Sequence, residues 1–142
     1  MKLDLQKQRE AKHSHTKPPV WDELVRRYHV QWKRTAVAYG DTIHAATVLP
    51  ADVEVHERVH LHQQGYTAEG ARVWWERYLN EPKFRYAQEL EAYRVQYQFL
   101  SKIIKDRNEL ARRLQVLAEL LSGDMYGNIV TLDMALKVIA KK

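Results

Sequence analysis

Two histidines four residues apart, His56 and His60, with Glu57 directly after the first, make up the stretch His56-Glu57-Arg58-Val59-His60. On a helix this spacing stacks both imidazoles on one face, where both can reach a single zinc ion at about 2.0–2.1 Å. Glu57 then brings its carboxylate beside the ion without being a ligand, which is the position a general base needs. Zinc lowers the pKa of bound water towards about 7 and polarises a carbonyl, so the expected chemistry is hydrolysis of a peptide or amide bond. The plainer alternative is a polar helix face on which the two histidines meet only solvent or carboxylates.

A catalytic zinc takes three protein ligands and keeps an open position. The chain has no cysteine, and no histidine follows His62. His62 lies about 200° around the helix from His60 and is turned away from the same metal. The third ligand must therefore be a carboxylate. Glu89 and Glu91, in the middle of a later helix, are the best candidates; Glu69, Glu76 and Glu81 rank lower because they fall in the connection. An oxyanion would need a donor, for which Tyr93, Tyr97 and Tyr126 are candidates and His62 a weaker one. Each of these tyrosines taken singly reads more readily as a packing residue with its hydroxyl at the surface, and none is assigned as catalytic. Trp74, Trp75 and Tyr78 read as core or interface.

The elements that must hold these groups follow from periodicity and capping residues. Pro50, with Asp52 and Glu54 close behind, suits the start of a helix over 51–64 that Gly65 stops. Before it, residues 35–39 and 42–48 read as strands joined by a turn at Gly40-Asp41. Pro18 and Pro19 precede a helix whose apolar face is Trp21, Leu24, Val25 and Tyr28. Thr67 caps a helix carrying Val73, Trp74, Trp75 and Tyr78, and Pro82 opens a long one over about 82–105. Asp106 or Asn108 caps another over about 108–121, with Leu110, Leu114, Leu117 and Leu121 as its stripe, and Thr131 caps a last short one. The expected class is α+β, mainly helical, with a small β-hairpin before the zinc-binding helix. Residues 1–17 read as a flexible basic arm and 18–142 as a single domain. In the arm, His13 and His15 read as part of a solvated tail rather than as ligands.

With 142 residues, 45% of them hydrophobic and 29% charged, the composition is that of an ordinary globular chain. No apolar run approaches the roughly 18 residues of a membrane span, and the N-terminus lacks the apolar core of a secretory signal, so a cytoplasmic protein is expected. The net charge of +5 raises a nucleic-acid reading. Basic residues recur beside Asp and Glu throughout, however, and no nucleic-acid motif frames them, so they read as helix faces.

The zinc motif resembles that of the gluzincins, metallopeptidases whose third ligand is a glutamate on a later helix. The resemblance implies Zn2+ as cofactor, His56, His60 and Glu89 as ligands, Glu57 as base and a peptide or protein as substrate. Glu89-Leu90-Glu91-Ala92-Tyr93 fits the family's Glu-x-x-Ala-Asp or Glu-x-x-x-Asp frame, with Tyr93 where Asp is usual, and this ranks Glu89 above Glu91. Losing that carboxylate can weaken metal binding or activity about 10- to 100-fold, unless another group such as the Tyr93 hydroxyl replaces it. Over roughly residues 20–140 the chain also looks like small zincin-like proteins of tailed phages and related bacterial elements. The points of similarity are His56 to Gln63, Trp74-Trp75-Glu76-Arg77-Tyr78-Leu79, Phe84-Arg85-Tyr86, Glu89 to Tyr93 and Tyr126-Gly127-Asn128. This implies a minimal zincin-like fold, residence in a host cytoplasm and, as an alternative to catalysis, a catalytically silent zinc-binding protein that is structural or virion-associated. Gln63, three residues after the second histidine, is open to a supporting role at the site, to helix packing or to substrate contact. The chain lacks the second lobe of full-size gluzincins, so an extended peptide is expected to add to a strand edge such as 42–48.

Overall fold

The computed structural model describes residues 10–141. They form β1 (Lys12–Ser14), α1 (Trp21–Tyr28), β2 (Val37–Tyr39), β3 (Thr42–His44), α2 (Ala51–Gln64), α3 (Ala68–Asn80), α4 (Pro82–Ile103), α5 (Arg107–Leu121) and α6 (Leu132–Ala140). Short 3-10 turns lie at Trp32–Arg34 and Asp124–Tyr126. The class is mainly helical α+β. Contacts divide the chain into two units, one ending at Glu76 and one beginning at Arg77, a boundary inside α3.

In the first unit, α2 has the limits its flanking residues dictate. Asp52 and Glu54 put negative charge in its first turn, where the helix dipole favours it. At the other end Gly65 adopts φ 76°, a left-handed cap whose N–H bonds the carbonyls of His62 and Leu61, and such a conformation costs glycine least. Beneath α2, Leu61 packs with Ala38 and Ile43 in a buried apolar cluster. Gln64, 3% exposed, accepts from the Gly40 N–H at 2.7 Å and donates to the Ala38 carbonyl at 2.9 Å. Trp75 Nε1 donates to the same carbonyl at 3.0 Å. The outward-facing polar backbone of β2 is thereby satisfied by side chains of α2 and α3, as burial requires.

The hairpin is present: β2 and β3 are antiparallel with Ala38 opposite Ile43, and Gly40 turns between them at φ 67°. Two expectations change. Residues 12–14, placed by sequence in the flexible arm, pair with β3 in parallel, His13 opposite Ile43. The strand order is consequently β1-β3-β2, and β3 is the central strand. The 42–48 segment therefore has no open edge along Thr42–His44, and strand addition there is ruled out, because both of its hydrogen-bonding sides are taken. Histidines reinforce the arrangement: His15 Nδ1 meets the Ala45 carbonyl and His44 Nδ1 the Thr16 carbonyl, both at 2.8 Å. His13 pairs with Glu54, Nε2 to Oε1 at 2.8 Å, tying β1 to the first turn of α2. The remainder of the arm, residues 1–9, lies outside the described residues.

Thr67 caps α3 as expected, its Oγ1 accepting from the Gly70 N–H at 3.0 Å. A Cβ on Gly70 would stand 1.8 Å from the Gln64 carbonyl oxygen. The close approach of the start of α3 to the end of α2 thus depends on that missing methyl. Val73, expected on the apolar face of α3, is 45% exposed, while Trp74 and Trp75 are buried.

In the second unit α4, α5 and α6 pack on one another. Asp106 caps α5, accepting from the N–H groups of Asn108 and Glu109, and Thr131 caps α6, accepting from Met134. Leu117 and Leu121 of the expected stripe are buried, whereas Leu110 and Leu114 are half-buried. Arg85, 6% exposed, donates to two carbonyls, those of Tyr78 at 2.6 Å and Met125 at 2.8 Å.

Candidate metal centre

The helix over 51–64 forms as expected and sets His56 and His60 one turn apart on one face. Their Nε2 atoms are 3.2 Å apart, and the rings meet edge to face, with centroids at 4.9 Å and planes at 79°. Two nitrogens each about 2.05 Å from one tetrahedral ion lie roughly 3.3 Å apart. The side chains therefore already hold the separation that a shared zinc would impose. His56 and His60 are 7% and 4% exposed, so the site is shielded from bulk water.

Glu57 is buried as well, at 8% exposure, which is unusual for a carboxylate. Its Oε2 stands 3.8 Å from His56 Nε2, which places the carboxylate beside the nitrogen pair. Among the described residues, His56, Glu57 and His60 make up the group of histidine and acidic side chains that could hold a metal, with ligand atoms within 4.8 Å of one another. That donor set, two imidazoles and a carboxylate with no sulfur, suits zinc and other divalent ions that accept nitrogen and oxygen.

His60 is held on two sides. Its Nδ1 lies 2.8 Å from Gln63 Oε1, and its ring centroid is 5.2 Å from that of Trp74. Trp74 was read from sequence as core, which it is, but it also forms one wall of the histidine pair. His62 is exposed and its Nδ1 contacts the Tyr66 hydroxyl at 3.3 Å, in keeping with its position around the helix.

Glu89 sits on α4 in the second unit and is 4% exposed. The Tyr78 hydroxyl donates to its Oε2 at 2.6 Å, within the range of a hydrogen bond to a charged acceptor. Sequence reasoning treated Tyr78 as core and did not find this partnership, since an eleven-residue separation across a helix junction carries no periodic signal. Glu91 is half-buried on the same helix. Tyr93 is buried and shares a 3.2 Å hydroxyl contact with Tyr126. Tyr126 has its pKa raised well above the ordinary tyrosine value, first by burial and then by the charge of Glu89. Its hydroxyl keeps its proton and remains a donor. Tyr97 is half-buried.

Comparison with known proteins found no family model, no curated protein and no solved structure that matches the chain.

Proposed function

We propose that the protein is a zinc-dependent peptidase or amide hydrolase of gluzincin type, with His56 and His60 as ligands on α2 and Glu57 as general base. The observation that carries the reading is the buried pair of Nε2 atoms 3.2 Å apart with a carboxylate oxygen at 3.8 Å. When bound, zinc supplies the Lewis acidity that acidifies water and polarises a carbonyl. Glu57 accepts the proton of the attacking water and returns it to the leaving amine, a task suited to a carboxylate in a partly dry site. Glu89 is carried as the third ligand, on the strength of the resemblance and of its burial and fixed hydroxyl partner; Glu91, less buried, ranks after it. The substrate class is a peptide or protein. The outward side of β1, at His13, replaces the 42–48 strand as the edge that an extended segment could join.

A second reading is a zinc-binding protein without turnover, structural or virion-associated. It is favoured by Tyr93, whose hydroxyl is engaged with Tyr126 and which cannot supply the missing carboxylate charge. A nucleic-acid reading has less support, because Arg26 and Arg27 pair with Glu23, Arg72 with Glu69, Arg77 with Glu81 and Arg112 with Glu109 along helix faces. Among the described residues no helix is long and apolar enough to cross a membrane.

Metal analysis tests the first step, with about one zinc per chain expected and none in His56→Ala. Zinc at about 100 times its Kd should stabilise the wild type by about 2.7 kcal/mol, a shift absent from His56→Ala. A wild type that takes up no zinc would end both zinc readings. A peptide-library screen, scored only for cleavage that a chelator abolishes and zinc restores, then separates the hydrolase from the silent zinc protein.

A further inference from the structure

We propose that Gln63 is a positioning residue for the metal centre, fixing His60 as the tautomer that carries its proton on Nδ1 and so turning the Nε2 lone pair towards His56. The amide oxygen of Gln63 lies 2.8 Å from His60 Nδ1. An amide oxygen only accepts, so at this contact the imidazole must donate. A neutral imidazole with its proton on Nδ1 has a free lone pair on Nε2, the state a metal ligand requires.

Three features make Gln63 suited to this. It lies three residues after His60 on α2, where side chains are neighbours, so the helix itself sets the distance. Trp74, with its ring 5.2 Å from that of His60, limits rotation of the imidazole out of the contact. The residue after it, Gln64, is anchored to the Gly40 N–H and the Ala38 carbonyl, which holds the last turn of α2 to the hairpin.

The same geometry sets the role of His56. With His60 Nε2 an acceptor, the 3.2 Å contact between the Nε2 atoms makes His56 the donor whenever no ion lies between them. A cation held by both nitrogens would take the place of that hydrogen bond, and His56 would then have to present its Nε2 lone pair as well. Because the acceptor on His60 is a neutral amide, the imidazole is polarised less than it would be by a carboxylate. A glutamate at position 63 should therefore hold metal at least as tightly as the natural residue.

Nitrogen-15 long-range NMR of the whole protein, kept in chelator at a pH about two units above the ordinary histidine value of ~6.5, reads each tautomer directly. His60 is expected as the Nδ1–H form and His56 as the Nε2–H form, with His56 converting to Nδ1–H when zinc is added. His60 found as the Nε2–H form in the wild type would overturn the proposal, since Gln63 would then be donating through its nitrogen. In Gln63→Met, which keeps length without an acceptor, His60 should lose its single tautomer and zinc affinity should fall about 10-fold. Gln63→Glu should keep both the tautomer and the affinity. Equal zinc affinity in wild type and Gln63→Met, or an unchanged His60 tautomer in that variant, would also overturn the proposal. The expected change in affinity rests on the zinc reading, whereas the tautomer does not. A wild type that shows the Nδ1–H form of His60 yet binds no zinc would defeat the metal reading and leave the role of Gln63 standing.

Discussion

The hydroxyl of Tyr78 donates to Oε2 of Glu89 at 2.6 Å, linking the last turns of α3 to the middle of α4 through two side chains that are 2% and 4% exposed. A hydrogen bond to a charged acceptor contributes about 1.5–3 kcal/mol. Tyr78→Phe keeps the ring and removes the donor, so a loss of stability of that size is expected in urea unfolding. If Glu89 is a zinc ligand, the same variant also loses zinc affinity, because the carboxylate loses a donor that orients it. A stability equal to wild type would mean that the contact contributes nothing.

Glu57→Gln separates binding from catalysis. The amide keeps the shape of the side chain and loses the base, and Glu57 Oε2 stands 3.8 Å from His56 Nε2. Zinc content should stay near wild type while hydrolysis falls by about 10²-fold or more. His60→Ala should lose both. Loss of zinc in Glu57→Gln would instead make Glu57 a ligand, and equal cleavage rates for wild type and variant would remove it from the mechanism.

Gly70→Ala tests how the end of α2 is held. The added methyl would stand 1.8 Å from the Gln64 carbonyl oxygen, and that oxygen belongs to backbone that cannot swing aside. Overpacking of this kind costs about 1–3 kcal/mol or more. A lower melting temperature is expected, accompanied by weaker zinc binding, because the strain falls on the turn carrying Gln63 and Gln64. An unchanged melting temperature would contradict the close approach of α3 to α2.

Alkaline pH should reveal Tyr126. Burial, and after it the charge of Glu89, raises its pKa well above the ordinary value. The unfolded chain loses this proton near pH ~10 while the folded chain keeps it. The contribution to stability is therefore fully present below about 10 and is lost as pH rises from there towards the folded value, at up to about 1.4 kcal/mol per pH unit. Tyr126→Phe should flatten that part of the profile when unfolding is measured between about pH 9 and about pH 11. A slope identical to wild type would place the alkaline loss elsewhere.

The helices were largely legible because their signals are local. The limits of α2 follow from Pro50 and Gly65, and the caps at Thr67, Asp106 and Thr131 are the ones the structure uses. The four-residue spacing of His56 and His60 was enough to place both imidazoles on one face, since 3.6 residues per turn leave no other arrangement on a helix. The strands expected over 35–39 and 42–48 came out shorter, as Val37–Tyr39 and Thr42–His44. Short β segments are decided by what they pair with more than by their own residues.

Sequence by itself determined the elements of the site: which helix carries it, which two nitrogens converge and which carboxylate stands next to them. Tertiary structure alone decided the rest. That β3 is central, with β1 covering one side, depends on a pairing between residues about 30 positions apart, and no short-range pattern encodes it. That Tyr78 serves Glu89, that Trp74 walls His60 and that Ala38 receives both Gln64 and Trp75 are likewise contacts between separate elements. The physical reason is the range of the forces involved. Backbone hydrogen bonding and capping act within a turn or two and are written locally, whereas the partners of a buried polar group are settled only when packing removes water and each donor must find an acceptor.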